Sequence, residues 1–257
     1  MTEFLERRLA DAQAKLTELG GSSSELWGAA FDELRAAQQS LAAARGDQYA
    51  VTVDGGPLWD VGAPLPHLIA NGASVYIVCR ADDSDPGWDG TYVTGVSSGD
   101  TYPTALLVIE PKQCIEVRMG GPSDTAFDDH PLASKGLVRY QLNEVLNSEW
   151  IEHVIRAHPS HADEIRSNVH HYVLPFHDDM VELLAVSIDT TVVKGTLRGV
   201  LTDLSERLTS DRRDPGNESG DVPDMASARL RGARFAWACL AALGLLILVV
   251  TAVEVFT

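Results

Sequence analysis

Apolar side chains recur with the period of an α-helix along the first 45 residues. In residues 2–19 they stand at alternating steps of four and three: Leu5, Leu9, Ala12, Leu16 and Leu19. Residues 24–45 repeat this spacing with larger side chains: Trp27, Phe31, Leu34 and Leu41. Glycines and serines at 20–24 separate the two stretches. The pattern predicts a helical hairpin or short coiled coil over residues 1–46, whose apolar seam packs on itself, on the rest of the chain or on another copy.

Over residues 47–208 the pattern changes to short apolar runs separated by Gly, Pro and Asp. Six of these runs are predicted strands: 49–53, 74–80, 91–96, 104–110, 113–119 and 137–145. Pro111 stands second in the sequence from Glu110 to Gln113, which favours a type I turn. The fourth and fifth strands are therefore predicted to form a hairpin.

The remainder of this region mixes helical and strand patterns. Residues 148–168 have a helical pattern that begins at a predicted N-cap, Ser148. Residues 171–177 and 181–187 are predicted to form a second hairpin, and residues 190–208 another helix with one apolar face. Strands and helices are grouped rather than alternating, so residues 47–208 are predicted to be an α+β domain with a mostly antiparallel sheet.

The C-terminal part differs sharply from what precedes it. Residues 209–228 hold almost no large apolar side chain and are predicted to be a flexible acidic linker. Residues 235–253 carry no charge over a length that spans a hydrocarbon core of roughly 30 Å. The alternative is a buried core helix, but such helices seldom run this long without a polar face. Residues 229–257 are therefore predicted to be a basic flank and a transmembrane tail anchor.

Charges beside this apolar stretch predict its orientation. Arg229, Arg231 and Arg234 directly precede it, and no Lys or Arg follows it. By the positive-inside rule this arrangement holds residues 1–234 in the cytoplasm. The N-terminus lacks the basic and then apolar regions of a secretory signal. The sequence thus predicts a tail-anchored, single-pass protein of the cell membrane with a cytoplasmic N-terminal domain.

The amino-acid composition restricts the possible binding partners of the protein, but it does not identify a reaction. The chain has 20 Lys and Arg against 37 Asp and Glu, a formal net charge of −17, which argues against nucleic acid as a partner. The three cysteines show no paired spacing of a metal or redox site. Glycine-rich phosphate motifs of the GxxxxGK[ST] and GxGxxG types are absent from the sequence. No cofactor is predicted.

Histidines are concentrated late in the chain, near several carboxylates. If Asp178 and Asp179 form the turn of the second hairpin, Glu182 stands opposite Pro175 and diagonal to His177. The candidate catalytic residues are then His177, Asp178 and Glu182, and the candidate metal ligands are His177, Asp179 and Glu182. The alternative is a structural pair at the sheet surface, in which Glu182 raises the pKa of His177.

The sequence of the same hairpin is similar to a pattern found in other proteins. Its sequence runs from His171 through Phe176, His177 and Asp178, with Glu182 four residues after that aspartate, and His130-Pro-Leu precedes it. Residues 128–188 resemble a family of uncharacterised microbial proteins that share this His, aromatic, Phe-His-Asp and Glu pattern. The resemblance implies a small soluble α+β domain without an assigned activity. It does not extend to the helical hairpin or to the membrane anchor.

Three functions are compatible with these patterns. The first is a membrane-tethered interaction or sensory module, whose acidic domain meets a protein partner and whose residues 1–45 govern assembly with that partner or with another copy. The second is a metal-assisted hydrolase using His177, Glu182 and Asp178 or Asp179. The third is a structural protein without a ligand.

Overall fold

A computed structural model of the chain describes residues 1–20, 25–82 and 103–211. Its α-helices are α1 (Thr2–Glu18), α2 (Glu25–Arg45), α3 (Glu149–Ala157), α4 (Ala162–Asn168) and α5 (Leu197–Asp211). Its strands are β1 (Tyr49–Thr52), β2 (His67–Ala70), β3 (Val75–Arg80), β4 (Thr104–Lys112), β5 (Glu116–Gly120), β6 (Asn143–Leu146), β7 (His170–Pro175), β8 (Met180–Ala185) and β9 (Ser187–Gly195). Short 3-10 helices lie at Asp124–Asp129, Ala133–Lys135 and Pro159–His161. Residues 1–209 form one compact unit.

The strands form two sheets. The first has the strand order β1-β6-β7-β8-β5 and the second the order β2-β3-β4-β9. Every strand pair in the described ranges is antiparallel. The predicted α+β class, with a mostly antiparallel sheet and an N-terminal pair of helices, is confirmed.

The main core lies between the two sheets. Because side chains alternate along a strand, β3 and β4 send Ile77 and Leu107 to one face and Val78 and Leu106 to the other. The first pair shares a buried cluster with residues of β7 and β8 in the first sheet. The second pair packs with Leu204 of α5. Burial on both faces explains why β3 is apolar almost throughout.

The outer face of the first sheet is partly covered by residues 124–137. Phe127 and Leu132 from this covering segment pack on Val173 of β7 and Met180 of β8. The covering segment leaves the neighbouring part of the same face open, beside α3. That open part contains the candidate functional site.

The two N-terminal helices pack on each other, as predicted, and several of their buried side chains are alanines. Ala12, Ala30 and Ala37 are buried, whereas Phe31 is 38% exposed. Alanine lets the two helices approach closely and leaves larger side chains at the edges of the contact. Phe31 is therefore not fully buried, although it stacks on Trp27 with 5.3 Å between the ring centroids.

The predicted hairpin between the fourth and fifth strands is also wrong. Strand β4 continues through Glu110 and Pro111 and pairs with β9, whereas β5 pairs with β8 in the other sheet. The pairing of β4 with β3 ends at Ile109, so Pro111 has a strand neighbour on one side only. Proline lacks an N–H donor and is tolerated at such an edge position.

The predicted helix 190–208 is a strand for its first third. Residues Ser187–Gly195 form β9, and the helix begins at Leu197. Thr190, Thr191 and Val192 are β-branched, a side-chain type that favours strands. The apolar face of the remaining helix is correct, because Leu204 and Leu208 are buried.

Two further predictions are corrected at their boundaries. The predicted helix 148–168 is broken into α3 and α4 at Pro159, which cannot donate the backbone hydrogen bond that a continuous helix needs. The predicted strand 137–145 is reduced to β6. The Asn143 side chain bonds the backbone of Val138 at both N and O and folds the preceding residues into a loop.

Strand β2 was not predicted, although its turn has a clear sequence signal. Asn71 and Gly72 lie between β2 and β3, and this dipeptide is a strong hairpin signal. Asn71 Oδ1 accepts hydrogen bonds from the backbone N–H groups of Ala73 and Ser74, at 2.7 Å each.

The predicted strand 91–96, most of the linker 209–228 and the apolar stretch 235–253 lie outside the described residues. Among the helices that the structure does describe, none combines the length and the apolar character needed to cross a bilayer.

Candidate functional site

The β7–β8 hairpin forms as predicted, but with a different register. Val173 stands opposite Glu182, and Pro175 stands opposite Met180. The prediction placed Glu182 opposite Pro175 and diagonal to His177. The turn lies earlier than expected, since Phe176 N donates to Asp179 O across the hairpin end. Glu182 is thereby moved toward His171 and away from His177.

Two histidines flank Glu182. His171 Nε2 lies 3.2 Å from Glu182 Oε2, and His130 Nε2 lies 3.8 Å from Glu182 Oε1. The His171 side chain is 4% exposed, that of His130 is 8% exposed and that of Glu182 is 22% exposed. Each carboxylate oxygen thus faces a different, nearly buried ring.

The surrounding hydrogen bonds indicate which ring nitrogens carry protons. The backbone N–H of Leu132 donates to His130 Nδ1 at 3.2 Å, so the proton of a neutral His130 is on Nε2, facing Glu182. An ionised carboxylate only accepts hydrogen bonds, so His171 Nε2 also presents a proton to Glu182. Burial of Glu182 opposes ionisation, but the contacts with His130 and His171 outweigh it and hold the pKa of Glu182 well below its usual range.

Ser148 extends this set of contacts. Its Oγ lies 2.9 Å from His171 Nδ1 and also accepts the backbone N–H of Ile151 at 3.2 Å, which makes it the N-cap of α3 as predicted. Serine, imidazole and carboxylate thus form a row like that of a serine hydrolase. However, Ser148 is 4% exposed and its oxygen is occupied by the cap. We therefore assign Ser148 to positioning His171 rather than to nucleophilic attack.

Replacing Ser148 by alanine is expected to lower the free energy of unfolding by about 1 to 2 kcal/mol, because α3 loses its cap and His171 loses a partner. Urea melts of the variant and the wild type measure this difference. Thr209→Ala removes an exposed hydroxyl that bonds only within α5, and it is the matched control with little expected effect. Equal melts for Ser148→Ala and Thr209→Ala would contradict the positioning role.

An open cavity of about 720 Å³ lies against this cluster. Strands β5 and β8 contribute Arg118 and Glu182 to its wall, the covering segment contributes His130, and α3 contributes Trp150. Its volume falls within the range common for small-molecule sites. Three sequence-distant parts of the chain therefore meet around one space.

Trp150 is fixed from several sides. Its indole N–H donates to Glu116, and its ring meets His171 edge-on at a centroid distance of 5.2 Å. The Arg118 guanidinium carbon lies 3.4 Å from the centroid of the Trp150 ring. Trp150 is thus an immobilised aromatic wall with a cation stacked on its face.

His177 belongs to a separate cluster at the hairpin end. Its Nδ1 lies 2.9 Å from Asp178 Oδ1, and its Nε2 lies 3.5 Å from Asp124 Oδ2. Tyr140 also donates to Asp124, at 2.9 Å. The hydrogen bond with Asp178, and then the charge of Asp124, raise the pKa of His177. The predicted direction of this shift is thus correct, but its predicted cause, Glu182, is wrong.

We expect NMR titration to place the pKa of His177 above 6.5, its unperturbed value, and Asp178→Asn to lower it. A group whose pKa is raised by folding stabilises the fold at pH values below its unfolded pKa. This stabilisation is lost as the pH rises through its folded pKa. Glu182→Gln should leave the His177 titration unchanged. A shift with Glu182→Gln but not with Asp178→Asn would contradict this assignment.

The four predicted site residues therefore do not form one site. His177 and Asp178 are in contact, whereas Glu182 lies with His130 and His171. Asp179 contributes its backbone oxygen to the hairpin end. Over the described ranges, no three His, Cys, Asp or Glu side chains are arranged to hold a metal ion. The side chains proposed for a metal do not converge as that hypothesis requires.

Comparison of this chain with protein-family models, with curated proteins and with solved structures finds no match.

Sequence reasoning missed His130, His171, Ser148, Trp150 and Arg118 as parts of one site. A partial signal was available for Arg118, because alternation along the strand 113–119 places it on one face with Glu116. The other contacts depend on the sheet order and on the covering segment, which no local pattern predicts.

Proposed function

We propose that this protein is a membrane-tethered sensory or interaction module whose α+β domain binds a small polar ligand in the cavity beside Glu182. The observation that carries the proposal is the combination of an open cavity of about 720 Å³ with polar walls that are already held in place. A site whose side chains are fixed before the ligand arrives loses less conformational entropy on binding.

Binding fits the cavity better than catalysis does. Glu182 is ionised and engaged by two histidines, and Ser148 is buried beneath His171 as a helix cap. Neither residue presents a free nucleophile or base to the cavity. The metal-assisted hydrolase hypothesis depended on His177 acting together with Glu182, and the observed register keeps these two residues in different clusters.

The cellular setting of the proposal comes from the sequence. The apolar stretch 235–253 would anchor the chain, and the arginines before it would keep the domain on the cytoplasmic side. Residues 1–45 would then be available for assembly with a protein partner or another copy. The high net negative charge suits neither nucleic acid nor an anionic lipid surface as the bound partner.

Thermal-shift screening of the full chain in detergent micelles tests ligand binding. The panel contains amino acids, dipeptides, organic acids, sugars and nucleosides, and each hit is repeated with Trp150→Ala, which removes one cavity wall. We expect at least one compound class to raise the melting temperature of the wild type but not of the variant. If no class does so, the binding proposal is wrong.

Reporter fusions at the two ends of the chain test the membrane topology. We expect a reporter fused to Met1 to be cytoplasmic and one fused after Thr257 to be external. A variant with Arg229, Arg231 and Arg234 all changed to glutamine should weaken this preference. An external reporter at Met1 in the wild type would contradict the proposed orientation.

A further inference from the structure

We infer that the ligand of this cavity is a zwitterion with a free carboxylate, namely an amino acid or a short peptide, and that Arg118 binds its carboxylate. This inference rests on the proposed binding function and narrows it to one chemical class.

The first argument concerns the state of Arg118. Its side chain is exposed within the cavity and is stacked on Trp150, with 3.4 Å between the guanidinium carbon and the ring centroid. No carboxylate of the described residues lies within ion-pair distance of it. Stacking on a ring face leaves the in-plane N–H groups of a guanidinium able to donate, and two parallel donors match a carboxylate.

Neighbouring carboxylates are engaged with other groups. Glu182 stands directly across from Arg118 in the strand register, but its two oxygens face His171 and His130. Glu116 accepts the indole N–H of Trp150. Arg118 is therefore a preorganised cation whose nearest strand neighbours already have partners, so an incoming carboxylate meets little competition.

The second argument concerns the charge around Arg118. Among the described residues, the cavity lining contains the carboxylates of Glu116, Asp129, Glu149 and Glu182, and Arg118 is its sole Arg or Lys. Asp129 and Glu149 are both exposed. A ligand that is only anionic would be attracted by Arg118 and repelled by this surrounding charge. A ligand that also carries an ammonium group avoids the repulsion, because the ammonium can approach Asp129 or Glu149.

Isothermal titration of the full chain in detergent micelles tests the inference. The probes are free amino acids, dipeptides with free termini, the same dipeptides amidated at the C-terminus, and the same dipeptides acetylated at the N-terminus. We expect a ligand with free termini to bind and amidation to weaken it at least about tenfold, the loss expected when a charge-assisted hydrogen-bond pair is removed. Acetylation should weaken binding by a smaller factor.

Variants assign the effect to Arg118. Arg118→Gln should reduce the affinity for the free ligand by the same factor as amidation, and amidation should then cause no further loss. Arg118→Lys keeps the charge but not the planar pair of donors, so its affinity should be intermediate. Arg139→Gln is the matched control, because Arg139 stacks on Phe127 at 4.5 Å outside the cavity lining. It should bind like the wild type.

The outcomes separate this inference from the proposed function. Equal binding of free and amidated ligands, or wild-type affinity in Arg118→Gln, would overturn the role of Arg118. A sugar or nucleoside that binds in place of the zwitterions would overturn the ligand class and leave the binding function standing. Absence of binding by these probes and by every compound of the thermal-shift panel would overturn both.

Discussion

Replacing Glu182 by glutamine is expected to lower the free energy of unfolding by about 1.5 to 3 kcal/mol at pH 7, the range for hydrogen bonds to a charged group. Both His130 and His171 present an N–H group to this carboxylate. Glutamine has one acceptor oxygen, so one of the two rings would face its NH₂ group instead. Urea melts at constant ionic strength measure the loss.

The pH dependence of this loss identifies its cause. Since the pKa of Glu182 is lowered in the folded state, its ionised form stabilises the fold above the unfolded value of 4.5. The stabilisation disappears as pH falls through the folded pKa. The difference between wild type and Glu182→Gln should therefore be full at neutral pH and shrink below about pH 4.5. The sequence predicted instead that Glu182 raises the pKa of His177, a partnership that the observed register rules out.

Glu144→Gln is the matched control for this variant. Glu144 Oε1 lies 2.7 Å from His170 Nδ1, but the two side chains are 27% and 42% exposed. An exposed pair of this kind contributes roughly 0 to 1 kcal/mol. Equal losses of unfolding free energy in Glu144→Gln and Glu182→Gln would contradict a stabilising role of the buried contacts between Glu182 and its two histidines.

Replacing Gly136 by alanine is expected to cost about 3 kcal/mol or more, combining backbone strain with overpacking. Gly136 has a φ of +93°, and a Cβ there would lie 2.6 Å from Ala50 O and 2.5 Å from Gln39 Cγ. The Gln39 side chain bonds Ala50 O at 2.7 Å and joins α2 to β1. The methyl group would therefore push the helical hairpin away from the domain.

Gly46→Ala separates strain from crowding. Gly46 also has a positive φ, +73°, but a Cβ there meets no atom within 4 Å. We expect it to cost about 1 kcal/mol, from backbone strain alone. Thermal melts of both variants, together with proteolysis of the α1–α2 hairpin, measure the difference. Equal stability of the two variants would contradict the close contact between α2, β1 and the loop at Gly136.

The local patterns of the sequence predicted elements well and their pairing poorly. The β7–β8 hairpin was predicted from two apolar runs around polar residues, but His177, Asp178 and Asp179 can each occupy a turn. A small change in turn position moves every cross-strand neighbour, and it moved Glu182 from His177 to His171. Side-chain period alone cannot distinguish these registers.

The other contacts of the site could not be predicted from local sequence patterns, for a different reason. Ser148 lies 23 residues before His171, and Trp150 lies 34 residues after Glu116. These contacts exist because β6, β7, β8 and β5 are adjacent in one sheet and because α3 and the covering segment pack beside them. Similarly, the local sequence around Pro111 indicated a turn, but the long pairing of β4 with β9 keeps Pro111 within a strand.

The indole N–H signals in an NMR titration test the central claim, ligand binding beside Glu182, most directly. Trp150 lines the cavity, whereas Trp59 is 1% exposed in the core between the sheets and serves as an internal reference. On addition of a compound that raises the melting temperature of the wild type, we predict a saturable shift of the Trp150 signal and no shift of the Trp59 signal. Trp150 and Trp59 signals that both stay unchanged when such a compound saturates the protein, or that shift together, would contradict a ligand site in this cavity.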